Sequence, residues 1–440
     1  MGQFVVDGGR RLEGAFRVNG AKNAALPLLA AAVLAHGPVY LDNIPLQLHD
    51  VRLMRDILRV LGARIREAGG SRLVVDASSP LDPVIPEDLM TRMRASLFLA
   101  GPLAARTGEV VLAYPGGCDI GQRPIDLHLK GLAALGVDFR EEAGGRIHGR
   151  VERLKGTRVF LDYPSVGATE NILMAAVAAE GETQIVNAAQ EPEVVDLAQL
   201  LIKMGAHIGG AGTAVIRVEG TGGRPLSGAS HTIIPDRIEA GTMAIAAAIT
   251  GGRVELGDCM PDHLQALWQK LSEMGVIVDY EPGGDWAVIE APTGPLFPIQ
   301  LQTGPYPRFP TDLQPQMMAL MTAARGGSMV RETVFDNRLR HVSGLVRMRA
   351  HVQVAGNVAW VEGPTRLAGA TVQATDLRAG AALVVAGLAA EGETTVEGAE
   401  AIERGYAEWP ERLSGLGARI ARREADGSGS SQETAGSIHR

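Results

Sequence analysis

Residues Ala168–Ala206 read ATENILMAAVAAEGETQIVNAAQEPEVVDLAQLLIKMGA. They open with an Ala-rich apolar segment at helical spacing (Ala168–Ala179), halt at Gly181, and pass into a short alternating strand, Thr183–Val186. A second, amphipathic helix over Val194–Met204 then runs into the turn Met204-Gly205-Ala206, after which another strand is expected. The turn recurs as Leu61-Gly62-Ala63, Leu135-Gly136-Val137, Met274-Gly275-Val276 and Leu416-Gly417-Ala418, with Met348-Arg349-Ala350 as a degenerate copy. The middle residues are 74, 69, 70, 74 and 68 positions apart, so six units fill nearly the whole chain.

Each unit begins with its own apolar segment: Asn23–Leu34, Thr91–Ala105, Ala168–Ala179, Ile238–Ile249, Leu313–Ala324 and Leu377–Ala389. A helix apolar nearly all round is a buried one, and small side chains let its neighbours come close. Units with one inner helix, one outer helix and strands between them can close in threes around the inner helices. That gives an α/β (α+β) molecule of two halves; the alternative is an open solenoid, whose units are usually shorter, roughly 20–50 residues. Thr221–His231, rich in Gly, Ser and Pro, is the best candidate for the linker between halves. The strands expected at Phe4–Val6 and Ala15–Val18 precede the first unit and can join either half. The Ser- and Gly-rich tail 424–440 is expected to be disordered.

Composition narrows function. The 440 residues are 46% apolar and 21% charged, as in an ordinary globular protein. A net charge of -8 and 4% aromatics disfavour nucleic acid, which calls for a basic excess and stacking rings. No signal peptide or membrane-spanning run is seen, and two cysteines, Cys118 and Cys259, suggest a reducing compartment; the expectation is a cytoplasmic protein without membrane contact. No cluster with metal-ligand spacing and no nucleotide-binding glycine loop occurs, so neither metal nor cofactor is expected.

Candidate chemistry gathers where the units break their own pattern. In Tyr114–Leu127, YPGGCDIGQRPIDL, proline and glycines keep the backbone irregular around Cys118, Arg123 and Asp126. A thiol beside an anion binder suits a lid over a charged substrate; a surface loop with a chance cysteine is the plainer reading. Lys22 and Asn23 open one apolar helix and Arg94 another, and the first turn of a helix attracts anions. Tyr163-Pro164-Ser165-Val166 is an oxygen- and amide-rich helix start. Asp312 and Asp376 stand at equivalent helix starts and can be N-caps or site carboxylates. Arg338 and Arg404 fall after the mid-unit strands, as Cys118 and Arg123 do, and Arg378 opens the last apolar helix. Arginines without metal or nucleotide loop suit a substrate bearing phosphate and carboxylate together.

Taken jointly and in order, several motifs resemble the UDP-N-acetylglucosamine 1-carboxyvinyltransferase family, the enolpyruvyl transferases that open peptidoglycan synthesis. They are Gly20–Pro27 (GAKNAALP), Met93–Ser96 (MRAS), Pro115–Cys118 (PGGC) with Arg123-Pro124, Ser165–Thr169 (SVGAT) and Pro235–Glu239 (PDRIE). Phe309–Asp312 (FPTD), Glu332–Arg338 (ETVFDNR), Thr375–Arg378 (TDLR) and Arg404–Tyr406 (RGY) complete the set.

The resemblance implies two inside-out α/β domains, each of three repeated βαβαββ units, in the EPSP-synthase-like manner. Residues 1–21 would join 232–423, and 22–231 would form the other domain. It implies that Lys22, Asn23, Arg123, Arg338, Arg378 and Arg404 meet phosphoenolpyruvate. Arg94, Arg123, Pro124, Ile125, Asp126, Leu127, Tyr163, Pro164, Ser165, Val166, Asp312 and Val334 would meet UDP-N-acetylglucosamine. Cys118 would be the proton donor, forming an adduct with phosphoenolpyruvate and reacting with fosfomycin; Asp312, Lys22 and Arg404 would share the catalysis. Tyr163 departs from the family, many members of which carry lysine there, and Arg349 replaces the turn glycine of unit five. A shikimate-pathway enolpyruvyl transferase and a non-catalytic UDP-sugar-binding paralogue are the alternatives.

Overall fold

The computed structural model describes residues 2–114, 116, 125–142 and 145–424; Cys118, Arg123, Pro124 and residues 425–440 of the expected tail lie outside these, while Glu424, counted with that tail, instead ends the strand Arg419–Glu424 opposite Gly2. The repeat is plainest in the third unit, where strands Arg158–Phe160, Glu182–Val186, His207–Gly209 and Val215–Glu219 form one sheet. The first pairs parallel with the second across the buried helix Val166–Ala178. The second pairs antiparallel with the fourth, and the fourth with the third. A parallel pair needs a crossover long enough to hold a helix, whereas the last two strands need only a hairpin, so the order follows from βαβαββ. The fifth unit repeats this with Gln300–Gln302, Gly326–Arg331, His351–Ala355 and Val358–Gly363.

Three sheets borrow strands from elsewhere in the chain. Unit one takes its first strand from Ser230–Thr232, parallel to Val39–Asp42, and unit four takes Glu13–Arg17, parallel to Arg253–Gly257. In unit six the N-terminal strand Gly2–Asp7 lies between Glu393–Glu397 and Arg419–Glu424. Thr221–His231 is therefore no free linker. It pairs through Leu226–Ser227 with Ala35–His36 and enters the first sheet through Ser230 and His231. Its Gly, Ser and Pro content conceals this, although Leu226 joins the first core and the buried His231 meets Asp196 Oδ1 at 2.8 Å.

The chain crosses between halves twice, near residues 18–21 and 233–238, and the two crossings are tied together. Ala21 N donates to Ile234 O at 2.8 Å and Asp236 N to Asn19 O at 2.8 Å. The approach is so close that a Cβ on Gly20 would lie 1.7 Å from Asn43 O.

Two hydrophobic cores result. Apart from Ala407, one holds residues between Ala21 and Ile233; the other holds Phe4–Val18 and the chain from Ile238 to Ile420. In the second half the buried helices Arg237–Ile249, Gln314–Met321 and Leu377–Ala389 all pack against one another. A solenoid would bring only sequence neighbours together, so closure in threes is the observed arrangement. The turn after each outer helix needs a left-handed residue. Gly62, Gly136, Gly205, Gly275 and Gly417 have φ between 91° and 107°, and Arg349 adopts 73° at the same place. Among the described residues no helix is long and apolar enough to cross a membrane.

Candidate active site

The two halves enclose a cavity of about 670 Å³. Equivalent loops and helix starts of the repeat lie at the same end of each half, which is why residues distant in sequence meet there. Lys22, Asn23, Arg94, Asp126 and Leu127 line it from the first half, as does the run Tyr163–Val166. Asp312, Val334, Arg338, Arg378 and Arg404 line it from the second. Ile125 is buried and lies away from the lining.

Asp312 is the centre of one ionic group. Its Oδ1 accepts from Arg338 Nη2 at 2.5 Å and its Oδ2 from Arg378 Nη2 at 3.0 Å. Burial alone would raise this carboxyl, but Arg378, Arg338 and Lys22 outweigh it and hold the group far below the usual carboxylate range. The Arg378 guanidinium is fixed in turn, since Nη1 donates to Tyr406 Oη at 3.3 Å. The Tyr406 ring is fully buried and stacks on Trp409 with centroids 4.3 Å apart. Glu332 shapes the loop around Asp312: it accepts from Thr303 and Thr311 hydroxyls and from the Val334 and Phe335 amides, at 2.7–3.2 Å.

Asp50 is the centre of the other group and was not singled out in the sequence. Its Oδ1 accepts from Arg404 Nε at 3.0 Å, and its Oδ2 accepts from Lys22 Nζ and Arg404 Nη2, each at 3.3 Å. Lys22 and Arg404 belong to different halves, so this carboxylate spans the cleft. Burial would push it up, yet the two cations hold it below the usual range. In the sequence Asp50 reads only as a first-turn acid of the helix His49–Val60.

Further acids stand on the first half where it meets Arg237 and Tyr306. Arg237 Nε donates to Glu193 Oε1 at 2.9 Å, and Tyr306 N donates to Glu191 Oε1 at 3.3 Å. Glu170 is fully buried with neither carboxyl oxygen partnered among the described residues. Burial beside Glu193 and Glu191 pushes its carboxyl well above the usual range. An acid inside the apolar run ATENILM was the available signal for it.

The helix starts divide into capped and uncapped. Ser165 caps Val166–Ala178 by accepting from Ala168 N at 3.4 Å, so this hydroxyl has a structural partner. Asp236 caps Arg237–Ile249, and its other oxygen accepts from Lys22 N at 3.2 Å. Asp376 caps Leu377–Ala389 by accepting from Arg378 N and Ala379 N at 2.9 and 3.1 Å. Asp312 makes no cap. The remaining thiol, Cys259, is buried outside the cavity and pushed up to about 12 by burial and two nearby aspartates.

The family model described as EPSP synthase (3-phosphoshikimate 1-carboxyvinyltransferase) matches residues 6–413. The chain is 51% identical over 422 residues to UDP-N-acetylglucosamine 1-carboxyvinyltransferase 2 of Carboxydothermus hydrogenoformans, covering 96% of this chain and 99% of that one. It is 47% identical, with the same coverage, to UDP-N-acetylglucosamine 1-carboxyvinyltransferase 1 of Caldanaerobacter subterraneus subsp. tengcongensis. The crystal structure of the enolpyruvyl transferase NikO from Streptomyces tendae superposes with a TM-score of 0.88 at 29% identity, covering 96% of this chain and 99% of NikO. An EPSP synthase from Acinetobacter baumannii shares the fold, with a TM-score of 0.76 at 20% identity, covering 96% and 100%. The chain thus belongs to the UDP-N-acetylglucosamine 1-carboxyvinyltransferase family, transferases of the EPSP synthase fold.

Proposed function

We propose that this protein transfers the enolpyruvyl group of phosphoenolpyruvate to the 3-hydroxyl of UDP-N-acetylglucosamine with release of phosphate, the first committed step of peptidoglycan synthesis. The observation that carries the reading is the gathering of Lys22, Arg338, Arg378 and Arg404 around Asp50 and Asp312 in one cleft between two domains. These cations, with Asn23 and Arg123, receive the phosphate and carboxylate of phosphoenolpyruvate. The nucleotide sugar lies along Arg94, Arg123–Leu127, Tyr163–Val166 and Val334. Tyr163, whose phenol is kept neutral by burial and by Glu191 and Glu332, offers a hydrogen bond where a lysine would offer a charge.

Asp312 takes the proton of the 3-hydroxyl as that oxygen bonds to C2 of phosphoenolpyruvate, while Cys118 delivers a proton to C3. A C3 proton then returns to the Cys118 thiolate as the C2–O bond to phosphate breaks, phosphate leaves with the proton that Asp312 had taken, and the double bond is restored. A carboxylate gripped by two arginines is a poor base. The incoming substrate anion competes for Arg338 and Arg378, loosens their hold, and returns basicity to Asp312 when both substrates are present. The arginines stabilise the charge that collects on phosphate and carboxylate, an electrostatic contribution that fixed donors make well. Two cysteines, one of them buried, agree with the reducing cytoplasm as the place of this reaction.

Phosphate release should require phosphoenolpyruvate plus UDP-N-acetylglucosamine. Release with shikimate 3-phosphate instead would favour the other acceptor, and release with neither would favour a binding protein. Fosfomycin should label Cys118 and spare Cys259, whose buried thiol stays protonated; adduct mapping by peptide mass decides, and labelling at Cys259 overturns the assignment.

A further inference from the structure

We propose that Asp50 is a positioning residue that holds Lys22 and Arg404, one from each half, as a single anion-binding pair across the cleft. The role rests on the reading that these two cations receive phosphoenolpyruvate. Two cations on separate bodies repel when the cleft brings them together, and the cost grows as water is excluded. A carboxylate between them removes that cost if it is itself well bonded. Asp50 meets the condition. Its side chain is 5% exposed, those of Lys22 and Arg404 are 10% and 23% exposed, and three hydrogen bonds of 3.0–3.3 Å satisfy both its oxygens. His49 Nδ1 lies 3.7 Å from Oδ1.

The contrast with Asp312 sets the role apart from that of a generic counter-ion. Arg338 and Arg378 both belong to the second half, with side chains 3% and 6% exposed, and Arg378 has Tyr406 as a further anchor. That pair stands in place whether or not Asp312 carries a charge. Asp50 supplies the bonds that connect Arg404 to Lys22 of the opposite half. Losing its charge therefore disperses an anion site, whereas losing the charge of Asp312 bares one.

Asp50→Asn and Asp50→Glu in the full chain test this. Steady-state KM for each substrate and kcat are measured, together with binding of inorganic phosphate by titration calorimetry without turnover. Asp50→Asn should raise the KM for phosphoenolpyruvate at least about tenfold and weaken phosphate binding in parallel. The KM for UDP-N-acetylglucosamine should move less than about threefold, and Asp50→Glu should recover most of the loss. Equal shifts in both KM values, unchanged phosphate affinity, or a glutamate no better than asparagine overturns the proposal in favour of a packing role. Should Asp50→Asn fail to fold, Asp50→Ser takes its place under the same criteria: a rise confined to phosphoenolpyruvate that Asp50→Glu largely avoids supports the pair, and no rise, or a rise in both KM values, overturns it. If the wild type releases no phosphate from phosphoenolpyruvate, the functional reading fails by itself, and the calorimetry still judges the clamp.

Discussion

Thr311-Asp312-Leu313 and Thr375-Asp376-Leu377 are the same three residues at the same place in units five and six, yet their carboxylates turn to different partners. Asp376 directly precedes the regular helix Leu377–Ala389 and accepts from its first amides. In unit five a single 3-10 turn, Thr311–Leu313, comes before the helix Gln314–Met321, and Leu313 N is satisfied by Pro310 O at 3.0 Å. Asp312 is thereby relieved of capping. With its side chain 27% exposed at the cleft, it reaches Arg338 and, across to unit six, Arg378. One copy of the motif starts a helix; the other supplies a reactive group. A local shift in helix type separates the two, and the repeat lets each be judged against the other.

Four substitutions sharpen or break that comparison. The largest effect belongs to Asp312→Asn, which should lower kcat by about 10²–10⁴, the range of a general base, while the melting temperature moves within about 3 °C. A large loss of stability with turnover retained would make Asp312 a structural residue like Asp376. Next is Arg378→Lys, which keeps the charge but loses the planar fork shared between Asp312 and Tyr406. The KM for phosphoenolpyruvate should rise about tenfold or more with little change for the nucleotide sugar, read from paired saturation curves. Tyr406→Phe removes the hydrogen bond to Arg378 together with the contacts to Thr242 at 2.8 Å and Gln316 at 3.3 Å, but Thr242 and Gln316 Nε2 keep each other at 3.1 Å and the stacked ring remains, so Arg378 itself loses one bond. Its effect on the same KM should be about three- to fivefold, as one hydrogen bond is worth roughly 1 kcal/mol. Asp376→Ala should act on stability instead, costing about 1 kcal/mol by loss of the cap, seen as a melting point lower by about 2–4 °C. If it stopped turnover as Asp312→Asn does, the two copies would share one role and the distinction would fail.

The repeat was readable because it rests on local chemistry: a left-handed turn after an amphipathic helix asks for glycine at nearly every occurrence, and an Ala-rich run between polar segments asks to be buried. Arg349 shows how far the demand goes, adopting φ 73° where the other turns use glycine. The strand exchange was not readable. Ser230–Thr232 is three residues long, and nothing in it names Val39–Asp42 as its neighbour, since pairing depends on where the two crossings bring the backbone. Lys22 and Arg378 stand out as charges at the starts of apolar helices, and Arg338 and Arg404 as charges after mid-unit strands. Asp50 did not, because an acid in a helix's first turn has an ordinary explanation, and only the fold brings Arg404 to it from 354 residues away. Glu191 and Glu193 escaped notice for the same reason, as acids beside Pro192 at a helix start.

The most direct test is to isolate and characterise the product formed from phosphoenolpyruvate and UDP-N-acetylglucosamine by mass spectrometry and NMR. The expected product is a UDP-sugar bearing a vinyl ether at its 3-oxygen, formed in equal amount to the phosphate released. Phosphate released without any modified UDP-sugar, or the enolpyruvyl group found on shikimate 3-phosphate in a competing mixture, would contradict it.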